Sequence, residues 1–241
     1  MTAMAASGLR ARMESLDLVA NNIANASTGG YKADREFYST YVAPEAQTDD
    51  VQSAMPLIDR PWVDLSQGTI QPTGNALDVA LSGQGFFSVQ SSSGALYTRN
   101  GNFHLAADGR LVTAEGYGVR DVNGAVVNLQ GTGPITIASD GTVTQDGNTI
   151  GQLQVVDFPG GAGLTKQGSS YFRVADPTVQ PSAAPGIAVE QGKLEASNTG
   201  TAESAVRLIG IMRQFEMMQK AVSMGLDMNR QAVEQVAKVG S

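Results

Sequence analysis

The chain has 241 residues, no cysteine and one histidine, His104. A disulfide framework, a thiolate metal centre and a paired-histidine metal site are thereby excluded, and one candidate imidazole base remains. A net charge of −7 argues against a nucleic-acid partner, which needs a basic face, and no apolar run is long enough for a transmembrane helix.

The chain holds 28 glycines, where average usage gives about 17, and only 16% charged residues. Such a composition favours many short strands and turns over an all-helical fold. The fold class expected is α+β: a central antiparallel β-rich domain with barrel-like or Greek-key connections. N- and C-terminal helices flank it and pair in a coiled-coil-like bundle.

Residues 1–30 form the first segment. Leu9, Met13, Leu16, Ala20 and Ile23 recur at alternating steps of four and three, an a/d seam on a helix from about residue 4 to 26, roughly 33 Å long. Asn25 and the pair Gly29-Gly30 supply a left-handed stop. The opening residues place Arg10 and Arg12 after small apolar ones, with no apolar core before a cleavage motif, so no cleaved export signal is expected. Residues 31–60, with Asp34, Glu36, Pro44, Glu45, Asp49, Asp50 and Pro56, read as a linker, extended or mobile.

Residues 61–197 read as the β-rich domain. Strand patterns fall at 77–81, 87–89, 110–113, 135–137 and 152–158. Asn100-Gly101, Asp108-Gly109, Asn123-Gly124, Asp140-Gly141 and Asp146-Gly147 are preferred two-residue hairpin turns, since both residues tolerate positive φ. Residues 198–241 form a second helix, capped between Asn198 and Thr201. Its seam runs Leu208, Ile211, Phe215, Met218 and Val222, continuing through Ala232, Val236 and Val239. A further apolar stripe holds Met217, Ala221, Met224 and Met228. Methionine adapts to irregular surfaces, so this helix is expected to meet more than one neighbour.

Motifs that suggest chemistry are weak. Gly83-Gln84-Gly85 lacks the third glycine of a dinucleotide fingerprint, because Ser88 stands there, and a strand pattern follows; it reads as a tight strand connection. Lys166 lacks the glycine that a phosphate loop places before its lysine. His104 sits between Phe103 and Leu105 and reads as an outward strand residue without an orienting partner. Trp62, Phe86 and Phe87 read as core. Asp64, Asp78 and Glu195 are candidates for a carboxylate pair, though nothing in their spacing shows that any two meet. No enzyme activity, metal or cofactor is expected.

Ala20-Asn-Asn-Ile-Ala-Asn-Ala-Ser-Thr-Gly-Gly-Tyr-Lys32 resembles the N-terminal signature of bacterial flagellar rod and hook proteins, with Ile23 and Tyr31 in place of the usual leucine and phenylalanine. Four further blocks follow in the family's order: 73–87, 97–103, 108–113 and 192–198, the last leading into Arg213-Gln-Phe-Glu216. The resemblance covers almost the whole chain. Only 40 residues, Ala33 to Pro72, separate the first block from the second. That short gap is most similar to the proximal-rod member of the family.

The resemblance implies an axial structural subunit of the basal-body rod in the periplasm. Its partners would be other rod subunits and, during export, the flagellar type III apparatus. Its helices would form an inner tube, with Leu9, Met13, Leu16, Ala20, Ile23, Leu208, Ile211, Phe215, Met218, Val222, Met224 and Met228 at the assembly interface. Asn21, Asn22 and Asn25 would be placed to hydrogen-bond between subunits, although helix capping accounts for Asn25 equally well. Two other classes compete: a monomeric binding module using the Phe86-Phe87 region, and a peptidoglycan hydrolase built on a carboxylate pair.

Overall fold

A computed structural model describes residues 2–36, 38–42, 54–58, 62–131, 133–158, 163–176, 178–184 and 186–239. The chain divides into two units. A helical unit holds Met1–Ala24, Asp34–Trp62 and Gly200–Ser241, and a β unit holds Asn25–Ala33 and Val63–Thr199. The fold is α+β, with two terminal helices and a β-rich domain. Among the described residues, no helix is long and apolar enough to cross a membrane.

In the helical unit, helix α1 spans Thr2–Ala24 and helix α2 spans Thr201–Val239. Glu203 lies in the first turn of α2, where a carboxylate complements the exposed amides. Gly8, near the start of α1, lies against Met218, midway along α2; a Cβ on Gly8 would stand 3.1 Å from the Met218 sulfur. After α1, Glu36 pairs with Arg207 near the start of α2, at 3.3 Å. The two helices therefore pass each other in opposite directions. Tyr38–Val42 pairs antiparallel with Ala54–Ile58, in register from Tyr38 opposite Ile58 to Val42 opposite Ala54. Residues 38–42 and 54–58 of the segment read as a linker thus form a ribbon, as its Tyr- and Thr-rich first strand favours. Its connecting residues lie outside the described set.

The β unit is antiparallel throughout its registered pairings. Its largest sheet runs, in spatial order, Leu164–Gln167, Tyr171–Val174, Gly94–Thr98, Phe86–Ser91, Gly118–Val119, Leu111–Thr113 and Phe103–Leu105. Val155–Asp157 also pairs with Phe86–Ser91 and with Ser182–Ala183. Smaller pairings join Val79–Ser82 to Ala188–Gln191, Ile70–Pro72 to Lys193–Glu195, and Ile135–Ile137 through Thr142–Gln145 to Asn148–Gln152. Phe86–Ser91 is central, and its side chains alternate between two cores. Phe87 and Val89 enter a cluster with Val79, Leu81, Phe103, Leu111 and Leu153. Phe86 enters a second with Tyr97, Phe158 and Phe172. The Phe87–Phe103 and Phe86–Phe172 ring pairs meet edge to face at 5.2 and 5.3 Å, a favoured aromatic geometry. Trp62, expected in the core, is instead exposed. His104 faces outward on an edge strand of the main sheet.

The turns differ from the expected two-residue type at four of five positions. Only Asp146-Gly147 has positive φ at both residues, 52° and 79°. At Gly109, Gly124 and Gly141 the glycine alone is left-handed, and its N–H donates to the carbonyl three residues back. The side chains of Asp108, Asp121 and Asp140 accept backbone N–H bonds two residues on, an arrangement that aspartate supports locally. Gly101 forms no such turn. A Cβ there would stand 1.7 Å from the Val79 carbonyl oxygen, so glycine is required by backbone approach.

Tyr171 is buried and donates its hydroxyl hydrogen bond to Glu115. Burial, reinforced by the Glu115 carboxylate, raises the phenol above its ordinary range. A raised phenol pKa contributes stability that is complete below the unfolded value near 10 and is lost as pH climbs past it. Tyr171→Phe is therefore expected to flatten the fall in urea midpoint between about pH 9 and about pH 11. An unchanged slope would contradict this assignment.

Candidate assembly surface and the charge cluster behind it

Helix α2 carries one covered face and one uncovered apolar face, and helix α1 carries one buried face and one apolar face that is only partly covered. On α2 the covered residues are Ser204, Leu208, Ile211, Phe215, Met218 and Val222, with Ile211 and Ser204 fully buried and the others half-buried. These include all five predicted seam positions from Leu208 to Val222. Val206, Met217, Met224 and Met228 stand 62–73% exposed. With Ala221 they lie about 130° around the helix from the covered stripe, at 100° per residue. Side chains at 232 and 236 lie outside the described residues.

On α1 the covered face is not the predicted seam. Gly8, Ala11, Ser15, Val19 and Asn22 are buried, while Leu9, Leu16 and Ile23 are half-buried and Met13 and Ala20 are exposed. The apolar seam sits about 120° around the helix from the buried stripe. The buried set is small because α1 and α2 approach closely, as the Gly8–Met218 contact shows. Large seam residues would hold the axes apart.

The asparagines divide three ways. Asn22 is buried, donates to the Asp34 carbonyl at 2.8 Å and accepts the Asp34 N–H at 2.9 Å. Its amide thus fixes the chain as it leaves α1. Asn25 is half-buried; its carbonyl accepts the Thr28 N–H and its side-chain oxygen the Thr28 hydroxyl, which is the helix-end reading. Asn21 is exposed.

Within the β unit, the sequence blocks that carry the resemblance converge. Lys32, Arg99 and Glu195 come from three of them and are buried together. The Lys32 ammonium donates to Glu195 Oε1 at 2.5 Å and to the Ser66 carbonyl at 2.7 Å. Arg99 donates to Glu195 Oε2 at 3.2 Å and to the Gly83 carbonyl at 2.6 Å. The Gly68 N–H completes the carboxylate at 2.8 Å. Burial pulls both cations below their ordinary pKa ranges, and Glu195 acts in the opposite sense on each. From the sequence Glu195 reads only as a candidate acid, and nothing local to Lys32, Arg99 or Glu195 signals that the three meet.

Around this cluster the chain ends leading to the two helices are tied. The Gly30 N–H donates to the Glu195 carbonyl at 2.8 Å, and Asn198 accepts the Ala33 N–H at 2.8 Å while donating to the Asp64 carbonyl at 2.7 Å. The block from Thr73 joins the same region. Asp78 accepts from Asn75 and Asn102, and the Gly192 carbonyl accepts from Thr73 and Gly74. Glu195 is thus neutralised by two cations and Asp78 is held by amides. Asp64 accepts the Ser66 N–H through its side chain. This chemistry is that of a fold clamp. Among the described residues, no group of three or more His, Asp or Glu is placed to hold a metal ion.

Three family profiles match the chain. "Flagella basal body rod protein" covers residues 3–32, "Flagellar hook protein FlgE/F/G D1 domain" residues 80–145, and "Flagellar basal body rod FlgEFG protein C-terminal" residues 190–235. The chain is 34% identical over 227 residues to the flagellar basal-body rod protein FlgF of Caulobacter vibrioides, covering 93% of this chain and 92% of the relative. It is 32% identical over 244 residues to FlgG of Bacillus subtilis, covering 90% and 91%. FlgG of Agrobacterium fabrum is 33% identical over 251 residues, covering 92% and 93%. By identity sustained along the whole length, the chain belongs to the family of structural flagellar basal-body rod proteins.

Proposed function

We propose that this chain is a structural axial subunit of the proximal rod, and that it joins neighbouring subunits through the exposed apolar surface of α1 and α2. The observation that carries this reading is the apolar surface left exposed in the helical unit: Met13 and Ala20 on α1, with Leu9, Leu16 and Ile23 half-buried beside them, and Met217, Met224 and Met228 on α2. Each large side chain buried between subunits would contribute about 1.5–3 kcal/mol. Helix α2 is also much longer than α1, 39 residues against 23, or about 24 Å. With Gly8 against Met218, the last part of α2 extends beyond the α1 turns that could face it, which suits packing against another copy. Head-to-tail contacts that do not close into a ring build a helical stack, the form a drive shaft needs to transmit torque. On this reading the subunit reaches the periplasm through the flagellar type III apparatus.

The proximal position is favoured by the 40-residue span between Lys32 and Thr73. The distal position is the alternative, since relatives named FlgG match along the same length. Expression in strains lacking either the proximal or the distal subunit separates them: restored swimming only in the first supports the proximal reading, and only in the second overturns it.

Met224→Asp tests the interface itself. Ile211 and Phe215 are less informative targets, because they already pack within the chain. Met224 is 64% exposed, so a carboxylate there leaves the isolated fold unchanged and is expected to abolish rod assembly and swimming. Protease resistance of residues 63–199 should match the wild type. Normal swimming with Met224→Asp would contradict the proposed interface.

A further inference from the structure

The open face of α2 is unusual in what it is made of. Met217, Met224 and Met228 recur at steps of seven and four and are 62%, 64% and 69% exposed. Met218, one residue from Met217, is half-buried with its sulfur against Gly8. The chain has no cysteine, so no thiol competes with these thioethers for an oxidant. Val206, Gly210 and Ala221 share this face, and Arg213 and Lys220 stand at its edge.

Resting on the assembly role argued above, we propose that Met217, Met224 and Met228 form an oxidation-sensitive site on the unassembled subunit, with peroxides as the oxidant class. The thioether sulfur attacks one peroxide oxygen, an S–O bond forms as the O–O bond breaks, and the remaining oxygen leaves as water. Sulfur is oxidised by two electrons and the peroxide is reduced. The product is a methionine sulfoxide, polar and chiral where the thioether was apolar and adaptable. Three such groups on one stripe oppose burial against an apolar neighbouring surface, because desolvating each sulfoxide oxygen carries a cost that the thioether does not. Oxidised subunits are thereby kept out of the stack, and a dithiol reductant acting through methionine sulfoxide reductases restores the thioether, the oxygen leaving as water and the dithiol becoming a disulfide.

The test uses the purified full chain and dilute hydrogen peroxide. Peptide mass spectrometry should show sulfoxide forming at Met217, Met224 and Met228 several-fold faster than at Met218. Self-association, followed by sedimentation velocity, should fall several-fold after peroxide and recover on treatment with methionine sulfoxide reductases. Because Met13 is also exposed, wild type and variant are compared in a Met13→Leu background; there Met217→Leu, Met224→Leu and Met228→Leu keep the apolar volume without the oxidisable sulfur, and the variant should associate equally before and after peroxide. The inference is overturned if wild type with all three positions oxidised associates normally, or if the leucine variant loses association as fully as wild type. If neither protein associates before peroxide is added, the assembly reading itself fails and the inference falls with it.

Discussion

Glu195→Gln is expected to lower the stability of the β unit by about 3–5 kcal/mol, the cost of removing one partner from a buried ion cluster. The glutamine fits the same space but leaves Lys32 and Arg99, both buried, without a counter-charge. At Lys32 the amide can supply an acceptor, yet the charge remains uncompensated. With Glu195 gone, burial acts unopposed by that carboxylate on both cations, so Lys32 sheds its proton more easily. Lys32→Met in the same chain removes one stranded cation and should recover part of the loss. Urea unfolding followed by circular dichroism measures both. A cost below about 1 kcal/mol for Glu195→Gln would show that water reaches the cluster and that it does not clamp the fold.

Gly30→Ala is expected to be comparably damaging for a different reason. Gly30 has φ of +65°, and a Cβ there would stand 2.3 Å from the Asn100 nitrogen and 2.4 Å from the Arg99 carbonyl carbon. Those are backbone atoms, which cannot swing aside as a flexible side chain does. The left-handed conformation costs about 1–2 kcal/mol for a non-glycine residue, and overpacking adds about 1–3 kcal/mol. Because the shift falls on Arg99 and Asn100, it also disturbs the ion cluster. Gly74→Ala is the comparison: φ is +74°, and nothing lies within 4 Å of its added Cβ. Gly30→Ala should lower the urea midpoint clearly more than Gly74→Ala. Equal effects would mean that backbone strain alone, without the close approach, accounts for the glycine.

These residues mark how far sequence reasoning reaches. The covered seam of α2 was legible because large apolar side chains at steps of three and four line the face that meets α1. On α1 the same rule marks a face that is half-buried or exposed, while a different stripe is buried. Close approach selects Gly8, Ala11 and Ser15, and small residues leave no hydrophobic signal. The central strand around Phe86 and Phe87 was legible from its β-rich run. The two-residue turns were overextended: an Asp-Gly pair is compatible with several turn types, and only Asp146-Gly147 has both residues left-handed. Asn100-Gly101 imitates the turn signal, while its glycine answers to the Val79 carbonyl, 22 residues earlier in sequence. Lys32, Arg99 and Glu195 are separated by most of the chain, and nothing local in the sequence says that they meet.

The β unit holds both buried core clusters, whereas helix α2 leaves an apolar stripe exposed. Helix α2 has one covered stripe, and its exposed stripe contributes nothing to the isolated chain, so its backbone bonds should open readily. Hydrogen exchange followed by mass spectrometry on the dilute, purified chain tests this directly. Amides of residues 201–239 are predicted to exchange at nearly unstructured rates while the strands between residues 79 and 174 stay protected. If α2 is as protected as those strands, the helical unit is self-sufficient, and an assembly built on its open faces is contradicted.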